Sequence, residues 1–153
     1  MPERNCHRPD KIGLALGGGG VWSLAHPGVL DVYRQIDGRV DAVAGASGGA
    51  LFGAVLAAHI DPKTHNIRPD GIAYMRRIVL GIKTFEDFRE RVGGEVRMDV
   101  HHLLNPGGND QNYRSMMRHG TTVPFSAQVA RKNEKGWENS VLLHQEPEYA
   151  HGT

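Results

Sequence analysis

The sequence predicts an α/β fold built on a mainly parallel sheet. A strand, helix, strand, helix succession occupies the first sixty residues, and each of the two strands runs into a glycine-rich turn. The chain has 153 residues, 39% of them hydrophobic, which suits one domain with a core of its own.

"KIGLAL" (11–16) is a short apolar run closed by glycines, the pattern of a buried parallel strand. Four consecutive glycines, Gly17 to Gly20, follow. Ser23 stands where it can cap the next helix, in which Val29, Leu30, Val32, Tyr33 and Ile36 recur near helical spacing. Asp37-Gly38-Arg39 then turns the chain into a second strand, "VDAVAG" (40–45). "GALFGAVLAAHI" (49–60) is apolar almost all round and therefore predicts a buried helix, stopped by Asp61-Pro62. Strand, helix and strand in this order form a βαβ unit with parallel neighbours and a right-handed crossover.

Further along, "DGIAYMRRIVLGI" (70–82) and "TFEDFRERV" (84–92) are predicted as amphipathic helices, the second with Thr84 as N-cap and Asp87 in the capping-box position. From "NPGGNDQNY" onward, glycine and polar residues dominate, and little ordered structure is expected.

Charge and composition narrow the function. Eighteen basic against seventeen acidic side chains leave a net charge of +1, so no bulk field recruits nucleic acid. The longest apolar stretch, "ALFGAVLAA" (50–58), is about half of what spans a bilayer, so any membrane contact is peripheral. Cys6, the single cysteine, cannot form an internal disulfide, and the N-terminal residues lack a signal-peptide pattern. A cytoplasmic location is expected.

The chemistry concentrates in Gly45-Ala46-Ser47-Gly48-Gly49, a G-x-S-x-G motif at a strand-to-helix turn. A serine there sits on a sharp bend with its hydroxyl exposed, over a helix N-terminus that favours a developing anion. The plainer reading of the same residues is a glycine-rich turn without chemistry. The earlier glycine run admits three readings. As a dinucleotide fingerprint, Gly18 and Gly20 fit but Ser23 occupies the third glycine position, and the second strand ends in the GASGG turn instead of an acidic residue. A phosphate loop of the Walker type fails because no Gly-Lys-Ser/Thr follows. As an oxyanion hole, the amides of Gly18, Gly19 and Gly20 would face Ser47, because adjacent parallel strands open on one edge of the sheet.

The stretch from Ile12 to Ala58 resembles the start of a patatin-like phospholipase domain: the glycine loop, the "H-x-G-V-L" helix from His26 to Leu30, and the G-x-S-x-G turn of Gly45, Ser47 and Gly49. The resemblance implies a three-layer α/β/α sandwich and a Ser-Asp dyad acting on lipid esters. Ser47 would be the nucleophile, Gly18, Gly19 and Gly20 the oxyanion donors, and His26 a packing or hydrogen-bonding residue. It also implies a lipid or phospholipid ester substrate and no metal or organic cofactor; no partner protein is indicated. Residues 11–104 would be an incomplete domain of this kind, with 1–10 a tail and 105–153 a poorly structured segment.

The sequence departs from the family pattern at two places. Trp22 and Ser23 stand where the family has a cation and a glycine. The family's Asp-Gly-Gly/Ala motif is absent: Asp37 belongs to the turn before the second strand, Asp70 to the start of a helix, and Asp99 in "MDVHHLLNP" echoes only part of the pattern. The histidines show neither HExxH nor zinc-ligand spacing, and an ordinary α/β-hydrolase triad would place its glycine loop farther from the nucleophile strand. Two expectations follow: a serine lipid acyl hydrolase, or an inactive patatin-like fragment retained for lipid or protein binding.

Overall fold

The structure, a computed structural model, describes residues 11–84, 89–92, 95–98, 100–105, 108–133 and 136–144. Six strands and five α-helices are present among them: β1 (Gly13–Leu16), α1 (His26–Gln35), β2 (Ala42–Ala46), α2 (Gly48–Ala58), α3 (Pro69–Gly81), β3 (Arg89–Val92), β4 (Glu95–Met98), α4 (Val100–Leu104), α5 (Gln111–His119), β5 (Phe125–Asn133) and β6 (Gly136–His144). A 3-10 segment, Gly20–Ala25, joins the glycine run to α1.

The main sheet runs β1-β2-β5-β6. β1, β2 and β5 are parallel, with Leu16 opposite Gly45 and Val43 opposite Phe125, and β6 returns antiparallel beside β5. The fold is mixed α/β, as the βαβ pattern requires, and fits part of an α/β/α domain. Helix α2 explains its apolar circumference by its position. It packs on β1, β2 and β5 with one side and on α3 and α5 with others, so Phe52, Val55, Leu56 and Ala57 are each at most 1% exposed. Burying such side chains contributes roughly 1.5–3 kcal/mol each for the larger ones. That makes α2 the centre of the core.

Side chains from later elements close this core. Tyr74 on α3 is fully buried and donates its hydroxyl to the Leu104 carbonyl at 2.6 Å. Asp31 on α1 accepts from Arg34 on its own helix and from Arg76 on α3 at 2.6 Å, tying the two helices together. Asp110 caps α5 by accepting from the Asn112 and Tyr113 amides, while its other oxygen meets Arg77 on α3. Thr122 supplies what the C-terminal end of α2 lacks, donating from its amide to Ala57 and from its hydroxyl to Ala57 and Ile60.

Three expectations need correction. Residues 89–92 form β3, paired antiparallel with β4, instead of the end of an amphipathic helix. Pairing with β4 outweighs the helical spacing of this short charged run. Thr84 lies just beyond α3 and outside any helix; Asp87 falls outside the described residues. Within 105–153, expected to be poorly structured, the described residues form α5, β5 and β6. β5 is held there by pairing with β2, a long-range contact that local composition cannot encode. Finally, Ser23 does not cap α1: the N-cap is Ala25, without a side-chain bond, and Pro27 occupies the first turn.

Candidate active site

β1 and β2 are parallel, so their C-terminal ends deliver the glycine run and the GASGG turn to the same edge. The two segments touch. A Cβ built on Gly18 would lie 2.9 Å from Ser47 Cβ and 3.2 Å from the Ala46 carbonyl oxygen. Only glycine lets the loop approach that closely.

The GASGG turn is as tight as the motif predicts. Ser47 has φ 51° and ψ −126°, a conformation that a residue with a side chain adopts only under constraint. Its flanking glycines are sterically required. A Cβ on Gly45 would meet Ala50 Cα and the Gly49 carbonyl oxygen at 2.5 Å; one on Gly49 would collide with the Leu16 carbonyl oxygen and lie 2.5 Å from that of Gly17. The strand, the bend and the helix are therefore packed backbone to backbone.

The Ser47 hydroxyl is left available. Ser47 is the N-cap of α2, yet its side chain makes no cap hydrogen bond and the residue is exposed. Its carbonyl instead accepts from the Ala50 amide at 2.9 Å. Gly17 to Gly20 are also exposed, and among the described residues no loop hydrogen bond between backbone groups uses the Gly18 or Gly19 amide. Exposed, uncommitted donors beside an exposed, uncommitted hydroxyl are the raw material of acyl-transfer chemistry.

Two neighbours shape the loop. His26 places Nε2 2.9 Å from the Gly17 carbonyl oxygen and sets its ring edge-on to Phe52, with ring centres 6.1 Å apart. Ser23 is only 3% exposed and packs against Gly48, where a Cβ would lie 2.5 Å from its hydroxyl oxygen. That hydroxyl is buried without a hydrogen-bond partner among the described residues. Trp22, by contrast, is 83% exposed. Neither the loop contact of His26 nor the burial of Ser23 has a signature in one sequence, because both depend on where the 3-10 segment lies.

No carboxylate hydrogen-bonds Ser47 among the described residues. Asp31 is engaged by Arg34, Gln35 and Arg76, and the Arg34 hydrogen bond is the main cause of its lowered pKa. Asp41 is held to about 2, chiefly by the Arg39 guanidinium and next by the Ile12 amide. Asp61 accepts from the Thr64 and Lys63 amides, and Asp70 pairs with Arg68 at the start of α3. Asp37 lies in the turn that precedes β2, at the far end from Ser47. Asp99 lies outside the described residues. No group of three metal-ligating side chains occurs among the described residues, and none of their helices is long and apolar enough to cross a membrane.

A strand that ends in a strained serine and feeds a buried helix, beneath a glycine loop from the neighbouring parallel strand, is the arrangement typical of α/β acyl hydrolases. Residues 14–78 match the model of the patatin-like phospholipase family. The lysophospholipase NTE1 of Pyricularia oryzae is 42% identical over 61 residues, and lysophospholipase nte1 proteins of Neurospora crassa and Aspergillus fumigatus are 40% and 38% identical over the same length. Those alignments cover 40% of this chain and 4% of each relative, so the chain spans a small fraction of the curated relatives it matches. No solved structure matches the chain.

Proposed function

We propose that the chain carries the nucleophile half of a serine lipid acyl hydrolase acting on carboxylic ester bonds, with lysophospholipids, the class named in its relatives, as the first substrates to test. The observation that carries this reading is Ser47: a side-chain-bearing residue at φ 51°, exposed, uncapped and within contact of the glycine loop. Strain of this kind costs about 1–3 kcal/mol and persists where function uses it. Ser47 Oγ would attack the ester carbonyl, the bond from the acyl carbon to the substrate's alcohol oxygen would break, and the alcohol would leave with the proton given up by the serine. The Gly18, Gly19 and Gly20 amides would hold the oxyanion, and water would release the acyl group.

The test is fatty-acid release from a lysophospholipid by the wild type and by Ser47→Ala. Release that disappears in the variant is the expected result; release unaffected by it overturns the assignment.

A second reading is favoured by one specific observation. Ser47 has no carboxylate partner among the described residues, and a hydroxyl without a base loses most of its nucleophilic rate. On this reading the chain is an inactive patatin-like fragment with a role in lipid or protein binding. Binding of lysophospholipid micelles without hydrolysis, equal in wild type and Ser47→Ala, would favour it.

A further inference from the structure

We propose that His26 is a positioning residue that sets the glycine loop for oxyanion binding; the catalytic part of this rests on the reading of Ser47 above. The Gly17 carbonyl oxygen can only accept, so the 2.9 Å contact requires the hydrogen to be on His26 Nε2. The Gly17–Gly18 peptide is trans, so its C=O and N–H point in opposite directions. Fixing the carbonyl on the imidazole therefore turns the Gly18 amide away from His26, and Gly18 is the glycine in contact with Ser47.

The clamp has two sides. The Gly17 carbonyl is pressed between the His26 ring and Gly49, whose missing side chain leaves room for it. His26 is itself held by α1, which it begins, and by the edge contact with Phe52 in the core of α2. The loop is thus tied to the same helix that presents Ser47. Without the clamp, a run of four glycines has many accessible conformations, and only a fraction of them turn the Gly18 amide away from His26. An amide donor already oriented costs no reorganisation when charge develops, which is where such donors gain their catalytic value.

The test uses the full chain and two variants. His26→Phe keeps an aromatic ring for Phe52 but removes the donor; His26→Gln restores an N–H donor at similar reach. Ser47 reactivity is read with a fluorophosphonate probe, and the loop is read directly from the Gly17–Gly20 amide resonances in ¹⁵N-labelled protein. His26→Phe is expected to slow labelling about tenfold or more, to shift and broaden the Gly18 amide signal, and to leave the melting temperature nearly unchanged. His26→Gln is expected to recover both readouts. If the wild type labels and His26→Phe labels equally fast, the inference is overturned while the reading of Ser47 stands. If the wild type does not label, the reading of Ser47 fails and the amide resonances alone decide: a Gly18 signal indifferent to His26→Phe overturns the clamp, and one that moves and is restored by His26→Gln upholds it. Equal losses in both variants would mark His26 as a packing residue and overturn the inference.

Discussion

Replacing Ser47 by glycine should stabilise this protein, whereas replacing it by alanine should not. Ser47 sits at φ 51° and ψ −126°, outside the regions open to residues with a Cβ. Holding a side-chain-bearing residue there costs about 2 kcal/mol, the middle of the range for such outliers. Glycine removes that cost but gives back roughly 0.7 kcal/mol through the greater freedom of the unfolded chain. The net gain is about 1 kcal/mol, which for a chain of this length raises the melting temperature by about 3 °C. Alanine keeps the Cβ, and with it both the strain and the contact with Gly18, so it is the proper reference. Thermal denaturation of wild type, Ser47→Ala and Ser47→Gly measures the difference. A glycine variant that melts at or below the alanine variant would show that the turn stores no strain, and the main physical argument for a functional serine would fall with it.

Other expectations are independent of catalysis. Gly49→Ala pushes a methyl group into the Leu16 and Gly17 carbonyls, both backbone atoms that no rotamer change can move. A loss of about 3 kcal/mol is expected, seen as a lowered denaturation midpoint, and a variant as stable as the wild type would mean that β1 and α2 do not approach this closely. Tyr74→Phe strands the Leu104 carbonyl and should cost about 1–2 kcal/mol in urea unfolding, with m unchanged. His59 donates Nδ1–H to the Val55 carbonyl at 2.7 Å, while Nε2 faces the Asn112 side-chain amide, and burial pushes its pKa down. The imidazole is therefore neutral in the fold and protonates first in the unfolded chain, so stability should fall as pH drops below about 6.5. Asp31, Asp61, Asp70 and Asp110, whose pKa values are lowered, contribute their share above the ordinary carboxylate range and lose it only under more acidic conditions. His59→Gln should flatten the fall in melting temperature between pH 8 and pH 5.5; an unchanged slope would assign it to other groups.

What the sequence makes legible and what it hides divide along contact range. β1, α1, β2, α2 and α3 follow from local pattern: apolar runs closed by glycine, helical spacing, and Pro or Asp-Pro boundaries. The touching of Gly18 and Ser47 follows from one topological rule, that parallel neighbours open on one edge. β5 is different. Phe125 to Gln128 join β2 across some eighty residues of chain, and Thr122 completes the end of α2 from 62 and 65 residues away; polar, glycine-rich flanks mask both. The strand Arg89–Val92 reads as the end of a helix over 84–92 because a short charged strand and an amphipathic helix share the same residue types. Around the GASGG turn, the close backbone approach of Gly45 and Gly49 is legible in the motif, while the contact of His26 with the Gly17 carbonyl and the buried hydroxyl of Ser23 depend on where the 3-10 segment lies.

The proposed ester hydrolysis stands on Ser47 as its nucleophile. Incubating the folded chain with a fluorophosphonate probe and locating the adduct by tandem mass spectrometry tests this directly. The prediction is one adduct on the peptide containing Ser47, absent from Ser47→Ala. A folded wild type that acquires no adduct, or acquires it on another residue, would contradict it.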